Sequence, residues 1–227
     1  MRIVVMKYGF YISGKSNRLK NFLNQDKSSV FEQIHVVVSD YPVEKQLKEL
    51  IIIKHRIKLI EFDYSHLEGK TSNEKSLDFS NFLLESLSNS SIDYCFSFGS
   101  HILSGELLEK YQNRIINFHP ALLPMFPGIK AIDQASDYGN VLLVGNTAHF
   151  IDSGVDTGPI IMQSVIPIMN FKKTHNYDLI LDLQILMLNS LIDIINNGDL
   201  ILHNNSVYIR NADYSAFNIY PMYPNKC

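Results

Sequence analysis

Short apolar runs alternate along the chain with longer segments whose apolar residues recur every three or four positions. The short runs, rich in β-branched and aromatic residues, predict buried strands, and the spaced pattern predicts helices. The predicted strands are Arg2–Met6, Ile34–Val38, Ile57–Phe62, Tyr94–Phe98, a run that ends at Ile115 and Ile116, Thr147–Ile151 and Ile160–Ile168. The predicted helices are Asn17–Leu23, Val43–His55, Asn73–Leu87, Glu106–Tyr111, Lys130–Ser136 and Tyr177–Ile195.

This alternation predicts an α/β fold, a Rossmann-like and mostly parallel sheet with helices on both faces. No composition shift marks a boundary, so we expect a single domain over residues 1–227. Its parts are a nucleotide-type α/β half (1–112), a second half (113–200) and a C-terminal hairpin and tail (200–227). The predicted hairpin pairs Leu200–His203 with Ser206–Arg210, and the tail Tyr214–Cys227 is aromatic. Both offer surfaces for pairing two copies, so we expect a homodimer.

Composition narrows the classes of protein. The chain has 227 residues, 46% of them apolar, and a net charge of −3. No stripe of Lys and Arg is present, so a nucleic-acid partner is not expected. The two cysteines, Cys95 and Cys227, do not suggest a disulfide framework, and Cys95 lies in an apolar run as an expected buried thiol. No signal peptide and no apolar run of about 18 residues is seen, so we expect a cytoplasmic protein without a membrane partner.

Polar residues follow the strand that ends at Ile116. Asn117 and His119 are two positions apart and would share one face of the strand. Open α/β sheets bind ligands at the carboxyl ends of their strands. A lone histidine is more often structural, but a second polar stretch, Asp152–Pro159, adds two carboxylates in a Gly-rich loop. A carboxylate beside a histidine can orient the ring and stabilise its cation, which indicates a catalytic centre.

The segments Asn117–Pro124 and Asp156–Pro159 resemble the signature of the folate-dependent formyltransferases, Asn-x-His-Pro-Ser-Leu-Leu-Pro followed by Asp-x-Gly-Pro. The one change in the first block is Ala121 for Ser. The resemblance is strongest over Arg114–Ile168 and implies the formyltransferase fold, with 113–200 as the catalytic half. It also implies N10-formyltetrahydrofolate as formyl donor and a small-molecule acceptor. No metal-ligand spacing is visible, so no metal is expected.

The resemblance assigns roles to single residues. Asn117 and a protonated His119 would bind the developing oxyanion, and Asp156 would stabilise the His119 cation and relay protons. Donor-binding residues would come from the loops after the fourth strand and before Asp156: Ser100, His101, Ile102, Leu103, Ile151, Asp152 and Val155. Acceptor-binding residues would come from the first loop and the exit loop after His119: Lys7, Tyr8, Ser13, Gly14, Lys15, Ser16, Asn17, Pro124 and Met125.

The sequence leaves open which amine accepts the formyl group. Glycinamide-type members of the family carry a second Gly in the loop that here runs from Ser13 to Asn17, and a ribose-binding Glu in the region that here is Asp182–Met187. Both are missing, so the main expectation is the amine of a nucleotide-linked amino sugar. Lys7, Lys15 and Arg18 would then meet its diphosphate, and Tyr8, Phe10 and Tyr11 would stack on its base or sugar. Phe126–Ile132 instead resembles the glycinamide branch, which leaves glycinamide ribonucleotide as the alternative. A second alternative is a folate-binding protein without activity.

Overall fold

A computed structural model of the chain describes residues 5–67, 69–169 and 177–215. Most of the predicted strand Arg2–Met6 and most of the aromatic tail, including Cys227, lie outside these ranges. The predicted buried thiol is confirmed, because Cys95 has no solvent exposure.

The central sheet has seven strands in the order β3-β2-β1-β4-β5-β6-β7. The strands are β1 Tyr8–Ile12, β2 Ile34–Ser39, β3 Lys58–Glu61, β4 Tyr94–Phe98, β5 Ile115–His119, β6 Leu143–Phe150 and β7 Ile160–Pro167. Strands β1 to β5 are parallel, whereas β6 runs antiparallel to both β5 and β7. The predicted mostly parallel α/β sheet is therefore confirmed. The strand order reverses between β1 and β4, where such sheets leave a crevice.

Helices cover both faces of the sheet. They are α1 Asn17–Leu23, α2 Ser28–Phe31, α3 Lys45–Glu49, α4 Ser72–Asn89, α5 Glu106–Lys110, α6 Ala131–Tyr138 and α7 Tyr177–Asn196. A π-helical turn, Leu50–Lys54, extends α3, and a 3-10 turn spans Tyr64–Leu67. The hairpin is β8 Leu200–His203 with β9 Ser206–Ile209, as predicted to within a residue.

Two apolar layers fill the space between sheet and helices. One layer packs residues of α1 and α7 on one face, and the other packs α4 and α5 on the opposite face. Helix α7 is the single described helix long and apolar enough, by length and composition, to cross a membrane. Its Leu188, Leu191 and Ile192 are buried in the first layer, whereas Leu186 is exposed, so one face of α7 forms core.

The first described strand differs from the prediction in position. It is Tyr8–Ile12, and Val5 and Met6, the described part of the predicted strand Arg2–Met6, precede it without strand structure. Gly9 fits the centre of the strand because an added Cβ would lie 3.0 Å from the Leu87 side chain. Tyr8, Phe10 and Tyr11 are wholly buried. Aromatic residues expected to stack on a ligand are therefore core residues.

The other elements agree closely with prediction, with one merger. The apolar run at 141–144 and the predicted strand Thr147–Ile151 form the single strand β6. The merger matters for the site because a long β6 pairs along β5 and carries its own side chains to the same edge of the sheet.

Candidate active site

A cleft of about 590 Å³ opens at the carboxyl ends of β1, β4 and β5. Its volume lies within the range of small-molecule pockets, roughly 300–1,000 Å³. All of the predicted catalytic and donor-binding residues line it: Asn117, His119, Asp156, Ser100, His101, Ile102, Leu103, Ile151, Asp152 and Val155. Residues far apart in the chain are thus brought to one place, as their positions at strand ends predict.

The pairing of β5 with β6 sets the inner wall. Asn117 lies opposite His149, and His119 lies opposite Thr147. The Asn117 Nδ2 atom is 3.3 Å from His149 Nε2, and His149 Nδ1 is 2.8 Å from the Phe150 carbonyl oxygen. In the neutral ring, Nδ1 donates to that carbonyl and Nε2 accepts from the Asn117 amide. His149 is buried beside the predicted catalytic residues and was not itself predicted from the sequence.

Asp156 joins the two histidines. Its Oδ2 lies 3.2 Å from His119 Nδ1 and accepts the Gly128 N–H at 2.7 Å, while its Oδ1 lies 3.5 Å from His149 Nε2. Burial raises the pKa of the carboxyl, but the neighbouring His149 and His119 rings and the hydrogen bond from the Gly128 N–H outweigh burial. The net pKa of Asp156 is lowered, so the group is ionised at neutral pH.

His119 is held at both ring nitrogens. Nδ1 faces Asp156, and Nε2 lies 2.8 Å from the Phe126 carbonyl oxygen. Both partners are acceptors, so both bonds form together only when the ring carries two protons. The expected donation from His119 to an oxyanion must therefore share Nε2 with Phe126. Asn117 has a second N–H on Nδ2, which does not compete with the bond from its first N–H to His149.

Backbone geometry positions Asp156. Its φ of 55° lies in the left-handed region, which is uncommon for a non-glycine residue and is found at functional sites. Two residues on, a Cβ on Gly158 would lie 1.9 Å from the Phe150 carbonyl oxygen. Only glycine allows the Asp156 loop to run this close to the end of β6.

Thr147 fixes the exit loop after His119. Its hydroxyl donates to the Ala121 carbonyl at 2.7 Å and accepts the Leu123 N–H at 3.0 Å. Gln163 adds a bond from Nε2 to the Leu123 carbonyl at 2.9 Å. The loop backbone is therefore held from β6 and β7, which stabilises the position of Phe126 and its contact with His119.

The loop after β4 is tied to β1 through Asp40. The hydroxyls of Tyr11 and Ser13 both donate to Asp40 Oδ2, at 2.8 and 2.6 Å. Each hydroxyl also accepts a loop amide: the His101 N–H bonds Tyr11 at 3.2 Å, and the Ser100 N–H bonds Ser13 at 2.9 Å. One carboxylate thus orders two hydroxyls, and these fix two backbone amides of the expected donor loop.

The same loop lies against an aromatic ring. A Cβ on Gly99 would come within 2.0 Å of the Tyr11 ring. The His101 ring stacks on Tyr64 at 3.6 Å between centroids, and its Nε2 is 3.5 Å from Asp40 Oδ2. Burial raises the pKa of Asp40 despite its hydrogen bonds, and burial lowers the pKa of His101 despite the Asp40 charge. Partial burial therefore opposes charge on both members of the pair.

The acceptor-binding predictions divide into two groups. Ser13, Ser16 and Asn17 line the cleft, whereas Gly14 and Lys15 lie in the same loop but outside the lining. Two further residues of the lining, Arg18 and Gln184, come from α1 and α7.

Four predicted acceptor residues are corrected by the structure. Lys7 and Tyr8 lie at the amino end of the sheet, where the Lys7 N–H bonds Asp93 and the Tyr8 hydroxyl bonds Asn196. The displaced first strand explains this error. Pro124 and Met125 do not line the cleft, because the exit loop turns away after His119; Met125 borders a small apolar cavity beside α6.

Within the three described ranges, no group of three or more His, Cys, Asp and Glu side chains could hold a metal ion. The described residues of the cleft support acid–base and hydrogen-bond chemistry. It comes from an amide, two imidazoles and one ionised carboxylate.

A family model described as formyl transferase matches residues 1–179. The phosphoribosylglycinamide formyltransferase of Bacillus subtilis (strain 168) is 32% identical over 164 residues, covering 71% of this chain and 80% of the relative. The crystal structure of glycinamide ribonucleotide transformylase 1 from Symbiobacterium toebii has a TM-score of 0.74 at 27% identity, covering 90% of this chain and 94% of that one. The formyltetrahydrofolate deformylase of Haemophilus influenzae is 47% identical over 75 residues, which are 33% of this chain and 26% of the relative.

Proposed function

Because this chain belongs to the formyl transferase family, we propose that it moves a formyl group from N10-formyltetrahydrofolate to the primary amine of glycinamide ribonucleotide. The family match and the catalytic cluster of Asn117, His119, His149 and Asp156 support the reaction class. Two relatives support this choice of acceptor: one is named phosphoribosylglycinamide formyltransferase and the other glycinamide ribonucleotide transformylase. They favour glycinamide ribonucleotide over the nucleotide-linked amino sugar that was the main expectation from the sequence.

The walls of the cleft suit the formyl donor. Ile102 and Val155 expose 62% and 52% of their surface, and with Leu103 they offer apolar contact to a flat ring. Backbone groups of the two loops alternate with these side chains and can pair with the polar edge of a pterin. The Asp40 network fixes one of the loops before any ligand binds, which lowers the ordering cost of binding.

The cluster supports acyl transfer without a covalent enzyme intermediate. The acceptor amine attacks the formyl carbon, a C–N bond forms, and negative charge develops on the formyl oxygen. The free Asn117 N–H and the cationic His119 ring stabilise that charge, and one such donor contributes about 3–4 kcal/mol to lowering the barrier. The ammonium then loses a proton to the ionised Asp156, directly or through water, and the bond from carbon to N10 breaks as N10 gains a proton.

One observation keeps the amino sugar as the competing acceptor. Gln184 is the polar side chain of the Asp182–Met187 region that lines the cleft, and it is neutral. Losing a carboxylate that accepts from two ribose hydroxyls should weaken ribose binding by about 1.5–3 kcal/mol. The acceptor must therefore be tested directly.

The test is a competition assay with purified protein, formyltetrahydrofolate, and glycinamide ribonucleotide and nucleotide-linked amino sugars at equal concentration. We expect formylation of glycinamide ribonucleotide with kcat/KM of about 10⁴ M⁻¹s⁻¹ or more, an ordinary enzyme value. A higher kcat/KM on an amino sugar would reject the proposed acceptor but keep formyl transfer. Formate release at the same rate with no amine present would instead indicate that water is the acceptor, as the name of the Haemophilus relative describes.

A further inference from the structure

Arg18 places a cation on the wall of the cleft with neutral partners only. Its Nη1 donates to Gln184 Oε1 at 2.9 Å, and its Nη2 donates to the Phe98 carbonyl at 3.0 Å. The guanidinium also lies over the Phe98 ring, 4.6 Å from the centroid. Two of its five N–H groups are used in these bonds, which leaves up to three for a bound group.

No counter-charge for this cation is found among the described side chains. Of the carboxylates whose side chains the structure describes, none forms an ion pair with Arg18. Burial alone lowers the pKa of Arg18, to about 10, and the guanidinium remains charged at neutral pH. Arg18 is half-buried on the wall of an open cleft, so its unpaired charge is only partly hydrated, and an incoming anion would relieve that cost.

Gln184 holds the guanidinium in a fixed orientation. Its Nε2 donates to Asn146 Oδ1 at 2.8 Å and to the Phe118 carbonyl at 3.2 Å, while its Oε1 accepts from Arg18. Asn146 is fixed in turn by its bond to the Ile180 carbonyl. Because both ends of the Gln184 amide are engaged by protein, this side chain orients Arg18 rather than reading ligand hydroxyls.

We propose that Arg18 binds an oxyanion, phosphate or carboxylate, on the acceptor and so selects anionic acceptors. Only the identification of the ligand as the formyl acceptor rests on the proposed function; the anion site itself does not. A planar, pre-oriented guanidinium matches the paired oxygens of such a group. Ser13, Ser16 and Asn17 line the same cleft and add polar groups beside it. The formyl-accepting amine then lies at the other end of the ligand, near Asn117 and His119.

A structural role is the competing explanation, because Arg18 also connects α7 to the end of β4. The variants are therefore Arg18→Gln, Arg18→Lys and Arg114→Gln. Arg114 is exposed, lies before β5 and does not line the cleft, so its loss changes net charge equally. Arg18→Lys keeps the charge but loses the planar pair of donors.

The binding experiment needs no turnover. Thermal unfolding is followed with inorganic phosphate or with acetate at constant ionic strength. We expect at least one anion to raise the Tm of the wild type and of Arg114→Gln, with that rise lost in Arg18→Gln and reduced in Arg18→Lys. Phosphate alone raising the Tm identifies phosphate as the ligand group, and acetate alone identifies carboxylate. An equal rise in Arg18→Gln, or no rise in the wild type with either anion, would overturn the inference.

The kinetic experiment compares glycinamide ribonucleotide with its dephosphorylated riboside. For Arg18→Gln we expect KM for the phosphorylated acceptor to rise about 10- to 100-fold with kcat little changed, and KM for the riboside to stay near the wild-type value. Equal losses on both acceptors would show a structural role and reject the inference. If neither compound is formylated while the Tm effect depends on Arg18, the proposed acceptor fails and the anion site stands.

Discussion

Asn117 and His149 face each other across the antiparallel β5–β6 pair, with Nδ2 3.3 Å from Nε2. The contact fixes the plane of the Asn117 amide and aims its second N–H into the cleft. Because the same His149 nitrogen lies 3.5 Å from Asp156 Oδ1, the amide and the carboxylate of the site are linked through one ring. His149 is therefore a positioning residue in this arrangement.

Replacing His149 by Phe should lower kcat by about tenfold to a hundredfold, because Asn117 loses the partner that orients it. KM for the formyl donor should change much less. Steady-state kinetics measures kcat and KM separately and so checks both expectations. Recovery of kcat in His149→Gln, whose amide can replace the acceptor, supports a positioning role, whereas wild-type kcat in His149→Phe would rule it out.

Asn117→Ala and His119→Ala should each lower kcat about 10²- to 10³-fold with the fold retained, since each removes stabilisation of charge that develops in the transition state. The control is His66→Ala, because the His66 side chain is 80% exposed and lies outside the cleft. Formyl-transfer assays measure kcat for those variants whose circular dichroism spectra match the wild type, which shows that the fold is retained. A loss of less than tenfold for His119→Ala would contradict its role.

Asp156 makes stability depend on pH in a defined window. Its pKa is lowered from 3.8 in the folded protein, so its contribution is present above that value and is lost as pH falls through the folded pKa. The difference in free energy of unfolding between wild type and Asp156→Asn should therefore be constant from pH 5 to 8 and shrink below about pH 4. Urea titrations at each pH measure it. A difference that already shrinks between pH 7 and 5 would show that the carboxyl is not the ionised partner of His119.

The lowered pKa of Asp156 also separates two causes of acid inactivation. Turnover that falls between pH 8 and 5 must then come from protonation of groups other than Asp156, foremost the acceptor amine. We expect the acid limb of kcat/KM to shift when acceptor amines of different pKa are compared. If the midpoint of the acid limb stays at the same pH for all of these acceptors, the titrating group belongs to the enzyme.

Tyr11→Phe should lower the free energy of unfolding by about 1–3 kcal/mol, because it leaves Asp40 and the His101 N–H without their shared partner. KM for the formyl donor should rise more than kcat falls, since the loop at 99–103 loses its bond to Tyr11 and keeps only the one to Ser13. Tyr138→Phe is the matched control, because Tyr138 is 67% exposed. An unchanged KM with normal stability would show that the hydroxyl does not order the loop.

The sequence predicts that Asn117, His119 and Asp156 lie in one cleft, because local rules decide their positions. Asn117 and His119 share a face through the period of a strand, and Asp156 lies in a loop that follows β6 directly. The partner His149 escaped prediction because its place depends on the register of β6 against β5. The sequence predicts both strands but not their antiparallel pairing, which places His149 opposite Asn117.

The first strand shows how an apolar pattern can mislead. Arg2–Met6 is β-branched, whereas Tyr8–Ile12 contains Gly9 and two tyrosines, residues that also occur in loops. Burial explains why these residues form the strand. Side chains packed where a Cβ would lie favour Gly9, and the Tyr8 and Tyr11 hydroxyls donate to Asn196 and Asp40. Arg18 and Gln184 likewise form one unit only because α1 and α7 pack side by side.

Ser13 and Ser100 lie between the expected acceptor side and the expected donor side of the cleft, with their hydroxyl oxygens 3.0 Å apart. Both loops are held through Asp40 before any ligand binds, so a ligand that shifts one loop also changes the hydrogen bonds that hold the other. We therefore expect occupancy of one half of the cleft to change the affinity of the other half, by the same factor in either order of addition.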